Sequence, residues 1–241
     1  MPDLEPWRWM LGALCALLLG VAKMGAPGVG TLTVPLMVLT AGDARLAPAW
    51  TVPILIVGDI FAVWYWRRHA AARALLSLAP WVAVGMVAGG FALSLSEPTL
   101  RRMVGVMVLS MLALNVARRL RPGILVDGHP SFYGMGAGFA TTVATSAGPV
   151  MNMYLLMKRL PKEQFVATGA WFFFAVNLAK VPIYWSHDLF SRSSLLFDLT
   201  MVPAVICGSI GGVWLVRRIP QSFFDRLILV MTALSSILLF R

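Results

Sequence analysis

The chain has 241 residues, 59% of them hydrophobic and only 12% charged, with a formal net charge of +10. Soluble domains carry roughly a quarter charged residues, so the composition excludes an ordinary soluble fold and points to an integral membrane protein. The surplus of positive charge does not indicate nucleic-acid binding, because the basic residues sit in short loops between apolar runs, the pattern of cytoplasmic loops.

Residues 7–22 are apolar enough for a first membrane helix. Asp3 and Glu5 precede it where a cleaved signal peptide would carry positive charge. The run is interrupted at 23–30 by KMGAPGVG and resumes as a shorter segment at 31–41. Spans follow at 47–66, 74–95 and 101–117, and a polar loop occupies 118–130. A second series then begins: a helix at 131–145, a break at 146–149, a short run to 157, and spans at 163–185, 195–216 and 222–240. Runs of this length cross a hydrocarbon layer of about 30 Å.

The two series share one plan. Gly28-Val29-Gly30 aligns with Ser146-Ala147-Gly148 at a shift of 118, and Gly58-Asp59-Ile60 falls on Val176-Asn177-Leu178 at the same shift. Gly89-Gly90 with Pro98 matches Gly211-Gly212 with Pro220 at a shift of 122. The organisation expected is therefore a first repeat, 1–117, a cytoplasmic loop, 118–130, and a second repeat, 131–241.

Charge sets the relation between the repeats. If each interrupted pair is a hairpin that leaves on the side it entered, one face of the membrane collects 12 Lys and Arg and the other 6. The richer face is then cytoplasmic and both termini lie outside. The basic loop at 67–73 also corresponds to a nearly neutral loop at 186–192. The fold class expected is an all-α integral membrane protein of about eight segments, in two inverted repeats, each opening with a re-entrant-like helical hairpin.

The breaks carry the functional expectation. A stopped helix frees backbone groups that must be buried in protein or line a cavity. A helix restarting there turns its N–H groups and positive dipole end into that cavity, which suits an anion. Inverted repeats would bring the two breaks together near the midplane. Lys23 lies at the first break, and Lys180 lies one helical turn after Asn177. A membrane-buried lysine is costly, on the order of 3 kcal/mol, so both are site candidates. The expected substrate-binding residues are Lys23, Gly28, Gly30, Thr31, Ser146, Gly148, Asn177 and Lys180. Two roles are open for Asp59: an ion pair with a lysine, or a coupled proton.

Bland readings stand beside these. Thr31, Thr33, Thr141, Thr142, Thr145 and Ser146 either bond their own helix or face substrate. Trp7, Trp9, Trp64, Trp66, Trp185 and Trp214 at span ends fit an interfacial belt. Cys15 and Cys207 lie in apolar segments without CxxC spacing, and His69, His129 and His187 fall in loops. No cofactor, metal site or catalytic constellation is expected.

The breaks GAPGVGTLTVPLM and TSAGPVMNMYLLM, the polar span GAWFFFAVNLAKVPIY and the paired late glycines together resemble the TauE/SafE family of sulfite exporters and sulfonate permeases. Family members often carry three consecutive glycines near the first break, whereas here Gly25, Gly28 and Gly30 are interleaved with other residues. The resemblance implies a secondary transporter in a bacterial inner membrane, moving a sulfur-containing anion such as sulfite or sulfoacetate. Its expected partners are that small anion, coupled protons or another ion, and the lipid bilayer, with no nucleic acid. The other classes weighed are a passive anion channel and an intramembrane enzyme.

Overall fold

The computed structural model describes residues 4–25, 29–42, 46–92, 129–144, 147–186 and 188–238, with scattered positions between 99 and 113. Among the described residues there is helix and no strand. The helices are α1 (Pro6–Lys23), α2 (Val29–Ala41), α3 (Ala47–Trp66), α4 (Ala72–Ala92), α5 (Pro130–Ala144), α6 (Ala147–Met157), α7 (Lys162–Ser186), α8 (Arg192–Arg218) and α9 (Gln221–Leu238). Among the described residues four helical stretches are long and apolar enough to cross a membrane: Ala49–His69, Ala72–Ala92, Lys162–Pro182 and Arg192–Arg218, the first running from α3 through the 3-10 turn Arg67–His69. The expected span at 101–117 and the loop at 118–130 lie mostly outside the described residues, although Met103, Val106 and Leu109 are helical.

The chain forms two compact units, Met1–Ala70 with Lys162–Pro220, and Ala71–Pro161 with Gln221–Arg241. Each takes helices from both halves of the sequence. The first contains α1, α2, α3, α7 and α8; the second contains α4, α5, α6 and α9.

Within the first unit, α2 folds back along α1. Gly30 faces Ala22, and Gly12 faces Thr40 at the opposite end. Between them the Cys15 thiol reaches the Thr33 carbonyl at 3.5 Å. The turn begins at Gly25, whose φ of +127° ends α1 in a conformation that L side chains rarely adopt. A Cβ there would also sit 2.4 Å from Val216 and 2.8 Å from Val166. At 13 residues, α2 spans about 20 Å, short of a full bilayer crossing.

Helices α1, α3 and α8 run parallel. Trp50 packs on Phe197, Gly58 faces Val205, and Tyr65 lies under Arg217, so α3 and α8 ascend together. Helix α7 runs the other way: Lys162 at its start donates to the carbonyls of Val216 and Ile219 at the end of α8, both at 2.8 Å. At its other end, Trp185 meets Phe190 just before α8 begins. That beginning is a capping box, in which Ser191 and Ser194 satisfy each other's backbone N–H at 3.0 Å. One end of this unit therefore gathers Arg67, Arg68, Lys162, Arg217 and Arg218; the other carries Arg8 and Arg192.

Glycine sets how closely the main pairs approach, and both units use the same contact. On α1, a Cβ at Gly20 would fall 2.2 Å from the Val205 carbonyl oxygen and 2.7 Å from the Ser209 nitrogen. On α5, a Cβ at Gly138 would fall 2.1 Å from the Val82 carbonyl oxygen and 2.8 Å from the Met86 nitrogen. The reverse contacts also correspond, Gly208 on the Leu17 carbonyl at 2.0 Å and Gly85 on the Met135 carbonyl at 2.1 Å. No side chain fits in such a seam. The equivalences are spaced by 118 on the α1–α5 side and by 123 on the α8–α4 side. This corrects the expected shift of 122: Gly212 matches Gly89, while Gly90 and Gly211 face open space. Identical GG pairs drew the sequence alignment one residue off the register that backbone contact sets.

The tryptophans at the span ends differ in exposure. Trp7, Trp64, Trp185 and Trp214 are exposed, but Trp66 is buried and Trp9 packs against Phe197 in the core.

Candidate functional site

Asp59 lies inside α3 and is 0% exposed. A buried carboxylate is tolerable only with partners, and two converge on it. The Lys23 ammonium sits 2.6 Å from Oδ1, and the Asn177 amide donates to Oδ2 at 2.7 Å. Lys23 enters from the last turn of α1, where the helix dipole favours a cation. It also lies over the Phe173 ring, 4.9 Å from the centroid. Gly58 makes room for its stem, since a Cβ there would approach Lys23 Cγ at 3.2 Å. With its side chain 11% exposed, Lys23 is engaged on three sides.

Phe173, Asn177 and Lys180 follow at helical spacing on one face of α7. Lys180 is half-buried and close enough for its charge to act on both Lys23 and Asp59. Among the described residues it forms no ion pair. Two ammonium groups against one carboxylate give the cluster a net positive charge. Asp59 thus occupies an ion pair, the first of the two roles open to it from sequence.

The remaining expected residues fall as follows. Gly28 and Ser146 lie outside the described residues, as does the side chain of Thr31. Gly30 is the second residue of α2, and the nearest atom to a Cβ there is 3.7 Å away. Gly148 is the second residue of α6, inside the first turn rather than before it, and a Cβ there meets nothing within 4 Å. Neither glycine is required by packing, in contrast to Gly20 or Gly208. Thr33 donates to the Gly30 carbonyl at 2.5 Å and Thr142 to the Gly138 carbonyl at 3.0 Å, so both bond their own helices. Asn177, Asp59, Lys23 and Lys180 come together in the first unit; Gly148 belongs to the second.

Sequence reasoning missed Phe173 and Asp198. The aromatic residue carried no signal of its own in an apolar helix. Asp198, an acid inside the run 195–216, is legible by the same test that singled out Asp59.

These features define a multi-pass helical membrane protein with a charged cluster buried in one of its units. The sulfite exporter TauE/SafE family model matches residues 11–239. The chain belongs to that family and is by its family a membrane transporter of the sulfite-exporter type. Neither the curated proteins nor the solved structures provide a match.

Proposed function

We propose that the chain is a secondary transporter of small sulfur-containing anions, sulfite or an organosulfonate such as sulfoacetate, working by alternating access in a bacterial cytoplasmic membrane. One observation carries this reading: Lys180, a half-buried cation without an ion pair among the described residues, lies beside the buried Lys23–Asp59–Asn177 cluster. An anion entering there meets a net positive charge already held in place. Lys180 binds it directly; Asn177 and the N-terminal backbone of α2 at Gly30 and Thr31 contribute donors. Lys23 holds Asp59 and keeps that carboxylate from repelling the substrate.

The antiparallel course of α3 and α7 supports an inverted repeat, because Asp59 and Asn177 are counterparts 118 residues apart. Transporters built this way place substrate where the repeats cross and alternate access by rocking one part against another. The end of the first unit with Arg67, Lys162 and Arg217 is cytoplasmic on this reading, which puts both termini outside.

Purified protein in proteoliposomes tests it. Uptake of labelled sulfite should saturate, compete with sulfonates and accelerate when the vesicles are preloaded with unlabelled sulfite. Linear, non-saturating flux would instead assign a passive channel, and no flux above protein-free vesicles would remove the transport reading for these anions.

A further inference from the structure

The buried face of α8 holds a second carboxylate, which the site above does not use. Asp198 is 4% exposed, on the same face as Ser194, Met201 and Val205. Neither of its oxygens has a hydrogen-bond partner, and no ion pair reaches it among the described residues. It stands about 9 Å along the helix from Arg192, inside the apolar stretch Arg192–Arg218.

The groups packed around it leave it alone. Phe197, its neighbour, is held between Trp9 and Trp50, both at 5.1 Å. The titratable residues of α1 are Arg8, Cys15 and Lys23. Arg8 lies over Trp7, Cys15 reaches the Thr33 carbonyl, and Lys23 pairs with Asp59. Those of α3 are Asp59 and Tyr65, the latter under Arg217 at the far end. On α8 itself, Arg192 begins the helix and Cys207 is exposed. Asp59 and Asp198 thus divide sharply: one has an ammonium and an amide, the other has neither. An ionised carboxylate buried without a partner is a severe burden, whereas a protonated one is only a buried polar group.

Asp198 also shares a seam with the cluster. Val205, two turns further along the same face of α8, lies beside Gly58, and Gly58 in turn abuts the Lys23 stem. Along α8 the separation is about 10 Å.

We propose that Asp198 carries the coupled proton of the transport cycle. A hydronium ion on one side gives its proton to the carboxylate; the neutral acid is carried in the buried position that Asp198 occupies; the proton returns to water on the other side when the seam opens. Water and proton are the only other species, and no bond of the substrate changes. This rests on the transport reading above and names its coupled ion and the residue that bears it.

The test uses the full chain in proteoliposomes, with sulfite as probe and protein-free vesicles as background. In the unsubstituted protein, an imposed pH gradient should drive sulfite above equilibrium. In Asp198→Asn, that accumulation should be lost while sulfite exchange at equal pH continues, because exchange returns the carrier without releasing a proton. Accumulation that persists in Asp198→Asn overturns the proposal. Dicyclohexylcarbodiimide, an apolar reagent that attacks protonated carboxyl groups, gives a readout independent of transport and of whether the variant folds. It should modify Asp198 in the unsubstituted protein, faster at lower pH, and spare Asp59. Absence of label at Asp198 overturns the proposal as well. Failure of all sulfite exchange in the unsubstituted protein would count against the transport reading, and the label would still judge Asp198.

Discussion

Asp59 and Asn177 stand 118 residues apart in the chain and 2.7 Å apart in space. The same spacing of 118 relates the glycine contacts of α1 to those of α5, and here it joins two residues of antiparallel helices. On the proposed inverted repeat, such contact is expected where a pseudo-two-fold axis crosses the bundle.

The ion pair at this crossing has a measurable signature. Removing one partner leaves a buried charge uncompensated, at a cost of about 3–5 kcal/mol. Lys23→Met and Asp59→Leu should each lower the thermal unfolding midpoint in detergent markedly. The double variant should recover most of the loss, since an apolar pair replaces a charged one. Additive losses in the double variant would mean that the pair does not act as a unit.

The glycine seams give a second prediction. Gly20→Val and Gly208→Val force side chains against carbonyls and should destabilise by about 1–3 kcal/mol or more. The equivalent variants Gly138→Val and Gly85→Val should behave alike. Gly90→Ala and Gly211→Ala, which face open space, should stay within about 0.5 kcal/mol of the unsubstituted protein. Thermal unfolding of the six variants decides this, and equal effects at all positions would contradict the shared seam.

Much of this was legible in the sequence, and particular residues show why. Gly25 and its neighbours marked the first break because glycine and proline act locally. Asp59 and Asn177 fall on each other at the shift of 118 that aligns the two halves of the sequence. What sequence could not supply was partner choice. That Lys23 turns to Asp59 and Phe173 while Lys180 stays without an ion pair depends on the register between α1, α3 and α7, which no local pattern records. The same holds for Trp66, which sits at a span end yet is buried under its neighbours. The repeat register also eluded identity matching, because Gly85 and Gly208 are equivalent by what they touch rather than by what flanks them.

Sidedness gives a third prediction. In a background lacking Cys15 and Cys207, Arg67→Cys and Trp185→Cys stand 118 residues apart at the ends of α3 and α7. An impermeant maleimide added to intact cells should label Trp185→Cys and leave Arg67→Cys untouched until the cells are permeabilised. Arg217→Cys should behave as Arg67→Cys. Labelling of Arg67→Cys and Trp185→Cys from the same side would contradict inversion.

The most direct measurement is sulfite counterflow through Lys180→Met, with Lys180→Arg beside it. Loss of one charge-assisted contact, about 1.5–3 kcal/mol, should raise the half-saturating sulfite concentration roughly tenfold to a hundredfold. The unfolding midpoint should hardly move, and the arginine variant should retain part of the activity. Unchanged counterflow in Lys180→Met, in protein that saturates normally before substitution, would contradict a site built on this lysine.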